Sequence, residues 1–303
     1  MTSATIATAD FNMRHWDFPV PGAIKFGDSR HFEMLTRLLL ETYNPYKPAV
    51  LDWPKLDPET LQRITSLPIW DIAVQTEIKA SARIEAFAKT VRSPQLRAAL
   101  MHMAGEEARH RDVLARLVAA YDIPMPPEQD YALPNDAEWG FLVTGYSECM
   151  DSFFAYGLFE MARRSGFFPP ELVETFEPVV QEEGRHILFF MNWIAWHKAT
   201  MPLWRRPYFA LKVAAVWAFL IWERIGIARS VDGLEGADAN FTMNGSKALS
   251  DEMDPAVLID ICLAEDKKRM SGYDARLIRP TTMPKLARFA RLFIRPKKKP
   301  RTA

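Results

Sequence analysis

Apolar residues recur at helical spacing along four long stretches of the chain, roughly 70–91, 95–121, 137–165 and 171–198. The stretches are separated by residues that helices avoid: Arg92-Ser93-Pro94, then a proline-rich connection from Pro124 to Pro134, then Gly166 to Pro170. At about 1.5 Å per residue these helices run to roughly 30–40 Å. Short, long and short connections predict two helical hairpins joined by one crossover. The expected fold is all-α, with a four-helix bundle over residues 70–200.

Outside the bundle the pattern weakens. Residues 1–69 read as an arm interrupted by Pro19, Pro21, Pro45, Pro48, Pro54 and Pro58, with one short helix around His31–Tyr43. Residues 201–275 read as additional helices packing on the bundle. The apolar run Trp204–Arg224 has Lys212 inside it and charges at its edges, so it falls short of the ~20 residues a membrane span needs. A Gly/Asn/Asp-rich loop (Val231–Lys247) leads to a helix near Pro255–Arg269. Residues 276–303 read as a basic amphipathic tail, in which Leu286, Phe289, Leu292 and Phe293 form an apolar stripe ahead of Lys297-Lys298-Lys299.

Composition sharpens this picture in three places. With 49% hydrophobic and 25% charged residues the chain is an ordinary globular one, which excludes wholesale disorder. The only two cysteines, Cys149 and Cys262, form no Cys-x-x-Cys pair, and Met1 to Asp10 lacks the features of a signal peptide; the expected location is the cytoplasm. The zero net charge conceals an asymmetry: ten basic residues and no acidic one follow Asp274, leaving 28 basic against 38 acidic residues before them. Contact with the anionic inner face of a membrane is the expectation for such a tail, rather than nucleic acid.

The chemistry lies in a phrase that occurs twice, Glu106-Glu107-Ala108-Arg109-His110 and Glu182-Glu183-Gly184-Arg185-His186. In each copy Glu-x-x-His puts a carboxylate and an imidazole about 60° apart on one helix face. A dinuclear metal site in a bundle takes a Glu from each of two helices and a Glu-x-x-His from each of the other two. Glu77, Glu107, His110, Glu148, Glu183 and His186 supply that set, one helix at a time. Glu85 and Glu160 compete for the single-Glu places but lie nearer their turns. A metal-bound histidine usually donates its other N–H to a carboxylate. The expected partners are Glu106 for His186 and Glu182 for His110, with Arg109 and Arg185 compensating the buried acids; surface salt bridges within each phrase are the alternative.

This pattern resembles the ferritin-like di-iron carboxylate proteins. Glu-Glu-x-Arg-His is similar to the phrase found twice in bacterial multicomponent monooxygenases such as methane and toluene monooxygenase. The resemblance covers about residues 70–200. It implies that Glu107 and Glu183 bridge two irons, that His110 and His186 are terminal ligands, and that Glu77 and Glu148 complete the site. It also places Ser152 on the oxygen side, where those monooxygenases tend to carry a small hydroxyl residue, with Ser81 as its mirror. Three departures narrow the choice. Leu114 stands where ribonucleotide reductase small subunits carry a radical tyrosine, the rubredoxin-like cysteines of rubrerythrins are missing, and ferritins lack such long terminal additions.

The expected activity is that of a di-iron oxygenase or oxidase with O₂ as co-substrate. Phe153, Phe154, Phe159, Phe189, Phe190 and Trp193 point to an apolar organic substrate. The reading leaves room for an electron-donor protein and for a homodimer. A metal-storage or peroxide-scavenging protein is the rival, and an Mn/Fe pair would suit the same ligands.

Overall fold

The computed structural model describes residues 3–45, 53–127, 131–230 and 254–294. The described part is helical throughout. In order, α1 is Ser3–Arg14, α2 Ser29–Thr42, α3 Pro58–Thr65, α4 Trp70–Thr90, α5 Pro94–Ala120, α6 Ala137–Ser165, α7 Pro170–Thr200, α8 Arg206–Ser230, α9 Pro255–Met270 and α10 Thr282–Arg291. Helices α4 to α7 are the bundle, and their ends fall within two residues of the expected ones. The caps explain why. Ser93 accepts a hydrogen bond from Leu96 N–H ahead of Pro94, Asp136 accepts one from Trp139 N–H, and Gly166 closes α6 at φ 69°.

The arm is more ordered than its prolines predict. Helix α3 begins at Pro58 itself, with Asp57 accepting a hydrogen bond from Thr60 N–H. A proline breaks a helix from inside but starts one at the first position, where its missing N–H is no loss. Helix α1 is also unanticipated, since Ser3–Arg14 has no apolar stripe to announce it.

Two apolar clusters fill the bundle, and a polar layer separates them. In one, Phe87 and Phe141 stack at 4.5 Å and Trp193 meets Phe141 edge-on at 4.9 Å. In the other, Trp70, Val74, Leu114, Leu117 and Leu172 pack under α3. Between Val74 and Ile84 on α4, and between Ala104 and Leu114 on α5, lie the residues of the repeated phrase and its partners. Close helix approach depends on two glycines: a Cβ on Gly145 would come within 2.2 Å of the Phe190 ring, and one on Gly157 within 2.3 Å of Cys262 Sγ.

The two ends of the described chain are knitted together, which corrects the reading of residues 276–303 as one basic object. Trp16 N–H donates to Gly272 O at 2.9 Å and Asp274 N–H to Trp16 O at 2.8 Å. Arg276 pairs with Asp274 and donates to the carbonyls of Phe18, Val20 and Gly22. Arg279 donates to four carbonyls of the adjoining turn, those of Met270, Tyr273, Asp274 and Leu277. Both arginines serve the fold. Residues 295–303, including Lys297-Lys298-Lys299, lie outside the described residues, as does the loop expected at Val231–Lys247.

Helix α8 lies on α6 through buried Phe209, Val216 and Leu220. Its internal Lys212 reaches Asp136 at 2.6 Å and Glu138 at 2.8 Å. Among the described residues no helix is long and apolar enough to cross a membrane.

Candidate metal centre

Each of the four bundle helices brings one or two of the expected residues into the polar layer. The side chains form two groups, Glu77 with Glu107, His110 and Glu183, and Glu148 with Glu107, Glu183 and His186. Within each group one ligand atom per residue lies within 4.8 Å of the others, and both groups contain Glu107 and Glu183. The rings of His110 and His186 face each other at 5.9 Å. Glu85 and Glu160 are elsewhere: Glu85 pairs with Lys89, and Glu160 with Arg163 and Arg164.

The outer edges of the histidines are fixed by acids from the opposite hairpin. His110 Nε2 lies 2.8 Å from Glu182 Oε2, and His186 Nε2 lies 2.8 Å from Glu106 Oε2. A carboxylate only accepts, so Nε2 carries the proton in both rings, and in the neutral imidazole Nδ1 is left with its lone pair inward. Arg185 donates to Glu106 at 2.9 Å and to Thr42 Oγ1 at 2.7 Å. Arg109 donates to Glu182 at 3.4 Å and to the Tyr43 hydroxyl at 3.1 Å. Burial opposes the charge on Glu106, but Arg185 and His186 outweigh it and hold the acid down to about 2.

The inner atoms have no such partners. His110 Nδ1 is 3.0 Å from Glu183 Oε1 and His186 Nδ1 is 2.8 Å from Glu107 Oε1. Neither Nδ1 makes a hydrogen bond, nor do Glu107 Oε1 and both oxygens of Glu148. Lone pairs converging at this distance repel unless a cation lies among them. Without metal, protons take that place. Burial lowers both histidines, but the carboxylates around them, chiefly Glu107, raise them well above the usual imidazole range. Burial raises Glu77 and Glu148 well above the carboxylate range, and the negative neighbours Glu107 and Glu183 add to it.

The donor set fits two divalent cations. Glu77, Glu107, Glu148 and Glu183 bring four negative charges, which two such ions cancel, while Glu106 and Glu182 are answered by Arg185 and Arg109. Hard carboxylate oxygens with one imidazole for each ion suit iron or manganese.

A cavity of about 630 Å³ opens on this layer. Glu77, Glu107, Glu148 and Glu183 line it together with Ser152, and its apolar wall includes Trp70, Leu114, Phe167, Phe168 and Phe176. The aromatic expectation needs correction. Of the six residues named for it only Phe159 lines the cavity; Phe189, Phe190 and Trp193 belong to the packed cluster, and Phe153 and Phe154 face α9. The wall comes instead from the α6–α7 turn, from the start of α4 and from the facing parts of α5 and α7. Ser81, the mirror of Ser152, is bound to Ala104 O on α5 at 2.9 Å.

Three residues of the site were not anticipated. Thr42 and Tyr43, at the end of α2, anchor the two arginines, and nothing in their spacing marks them. Tyr156 is buried, lines the cavity and has no partner for its hydroxyl. It continues the stripe Glu148, Ser152 at four-residue spacing, so the helical period could have found it.

Residues 69–194 match the family model for rubrerythrin. The match falls on the bundle, so the missing Cys-x-x-Cys pairs do not stand against it. No curated protein and no solved structure matches the chain.

Proposed function

We propose, for a chain whose residues 69–194 form a domain of the ferritin-like di-iron carboxylate superfamily, that the protein is an O₂-activating oxygenase or oxidase acting on an apolar organic substrate. The observation that carries this reading is the junction of the two ligand groups with a cavity whose wall is mostly apolar. Two irons bound there would supply the electrons and the Lewis acidity for reducing O₂. Glu107 and Glu183 belong to both groups and would help to hold both ions. Glu77 with His110 would serve one ion and Glu148 with His186 the other.

The remaining residues act on those ligands and on the substrate. Glu106 and Glu182 keep the imidazoles in the tautomer whose Nδ1 lone pair faces the metals. Thr42 and Arg185 hold Glu106 ionised for that task. Ser152 offers a hydroxyl on the cavity wall that the four carboxylates share, and the aromatic wall would exclude water and hold the substrate body. Inserting one oxygen atom and reducing the other to water takes two electrons, which an electron-donor protein would supply, and two protons, which solvent would supply.

The rubrerythrin match favours a second reading, reduction of hydrogen peroxide without an organic substrate. Metal analysis of natively produced protein, followed by anaerobic loading and exposure to either oxidant, separates the two. The oxygenase reading expects two metals per chain and O₂ uptake that increases when an apolar compound occupies the cavity. Turnover with peroxide alone, indifferent to apolar compounds, or a cage holding many irons per chain would overturn it. The same analysis decides between Fe/Fe and Mn/Fe.

A further inference from the structure

Helices α8 and α10 lie on the same side of the molecule. On α6, Trp139 and Tyr146 meet Phe219 and Trp217 of α8. Further along, Phe153 and Gly157 meet Cys262 of α9, and Ala287 of α10 joins the same cluster. Positions 139, 146, 153 and 157 form one stripe of α6 at helical spacing. Helix α8 therefore covers the first half of that stripe, and α9 with α10 covers the second.

What these two helices turn away from α6 is apolar and aromatic. On α8 and the short turn that leads into it, Trp204 is 78% exposed, Tyr208 63%, Leu211 68% and Trp222 70%. They recur at helical spacing on a face whose one internal charge, Lys212, is held by Asp136 and Glu138. On α10 and the turn that ends it, Leu286 is 54% exposed, Phe289 62% and Phe293 72%, a second stripe with exposed Lys285 and Arg288 at its flank. Arg295, Lys297, Lys298, Lys299 and Arg301 follow in the sequence with no acid among them.

We propose that this side of the protein docks on an anionic lipid surface, α10 lying among the headgroups with Leu286, Phe289 and Phe293 inserted, and the aromatic face of α8 making a second contact. An amphipathic helix with basic flanks gains from burying its apolar stripe and from lipid phosphates at once. Trp and Tyr favour the same boundary, where ring and polar edge are both satisfied. A second copy of the chain fits less well, because a two-fold contact through this stripe would bring two basic segments together.

The test is co-sedimentation of the full-length protein with vesicles. Phosphatidylcholine containing about 30% phosphatidylglycerol should pellet it, pure phosphatidylcholine should bind about tenfold less or weaker still, and roughly 0.5 M salt should release it. F289E/F293E and W204E/W222E should each weaken binding about tenfold or more. All four side chains are exposed, so circular dichroism and melting should stay at wild-type values in both variants. Wild-type protein that remains in the supernatant overturns the proposal, as does binding that either variant leaves unchanged. A dimer that F289E/F293E dissociates, with no affinity for vesicles, would assign the face to a second copy and overturn it too.

Discussion

Arg185 and Arg109 hold the same place in the two copies of one phrase, yet Arg185 is wholly buried while Arg109 keeps 22% of its side chain exposed. The difference comes from neighbouring residues of α2. Thr42 receives Arg185 at 2.7 Å inside the core, and Tyr43 receives Arg109 at 3.1 Å nearer the surface. Opposite them, Glu106 lies 2.9 Å from Arg185, whereas Glu182 is 3.4 Å from Arg109. Local sequences that differ only in Ala108 against Gly184 thus yield two halves that share their inner ligands but differ in what holds those ligands in place. The inner layer is symmetric because the two helical hairpins are alike. The outer layer is not, because a single helix from the arm crosses both.

The largest effects should come where the halves overlap. Removing a shared carboxylate, Glu107→Ala or Glu183→Ala, should take metal content below about one ion per chain, because both groups lose a donor. Glu77→Ala and Glu148→Ala each affect one group and should leave about one ion. Metal analysis of the four purified variants checks this, and equal losses in all four would remove the distinction between shared and single ligands.

Acid should weaken both halves together. His110, His186, Glu77 and Glu148 are all raised well above their ordinary values, so the metal-free protein holds protons that binding must expel. Metal affinity should therefore fall as the pH falls, by up to about tenfold per pH unit for each proton displaced. The sign for the metal-free fold is the opposite. Its native state binds more protons than the unfolded chain, so the stability these groups give is complete below their unfolded values and is lost as the pH rises through the folded ones. The gap in melting temperature between loaded and metal-free protein should widen from pH 6 to pH 8, which calorimetry can follow.

The outer layer should then separate the halves. Glu106→Gln leaves Arg185 charged, buried and uncompensated, a loss on the order of 3–5 kcal/mol. Glu182→Gln takes one acid from Arg109, which is partly exposed and keeps Glu106 at 3.6 Å, a loss of about 1 kcal/mol once solvent screening is counted. Both variants should bind metal about 10–100-fold more weakly, since each replaces the charged acceptor of one imidazole by a neutral amide. Thermal unfolding without metal, beside metal titration, would show whether the asymmetry resides in the arginines.

The sequence made the inner layer legible and the outer one only in part, for a physical reason. Helical period fixes which residues share a face, so the pairs Glu107–His110 and Glu183–His186, and the bundle that brings them together, follow from spacing alone. The same period relates Ser152 to Glu148. Contacts between distant segments carry no such period. Thr42 and Tyr43 are ordinary residues at the end of an amphipathic helix until α2 is laid across α5 and α7. Arg276 looks like tail charge until its partners, carbonyls some 250 residues away, are in place. The aromatic reading failed for a related reason. Phenylalanines on α6 and α7 were counted by type, but which of them face a void depends on how α9 and the α6–α7 turn fill the remaining space.

The smallest effect distinguishes Ser152 from Ser81, the pair that the repeat makes equivalent and the packing does not. Ser81 donates across the α4–α5 joint to Ala104 O, so Ser81→Ala should cost about 1 kcal/mol and shift the melting temperature without touching the cavity. Ser152 borders the void beside Glu148, so Ser152→Phe projects a ring into empty space and should leave stability nearly unchanged. Binding of an apolar fluorescent probe should respond to Ser152→Phe alone, with metal content constant in both variants. If Ser81→Ala displaced the probe as well, the void would border Ser81 too. Substrate would then approach the metals from either side, and the one-sided site derived from Ser152 would have to be given up.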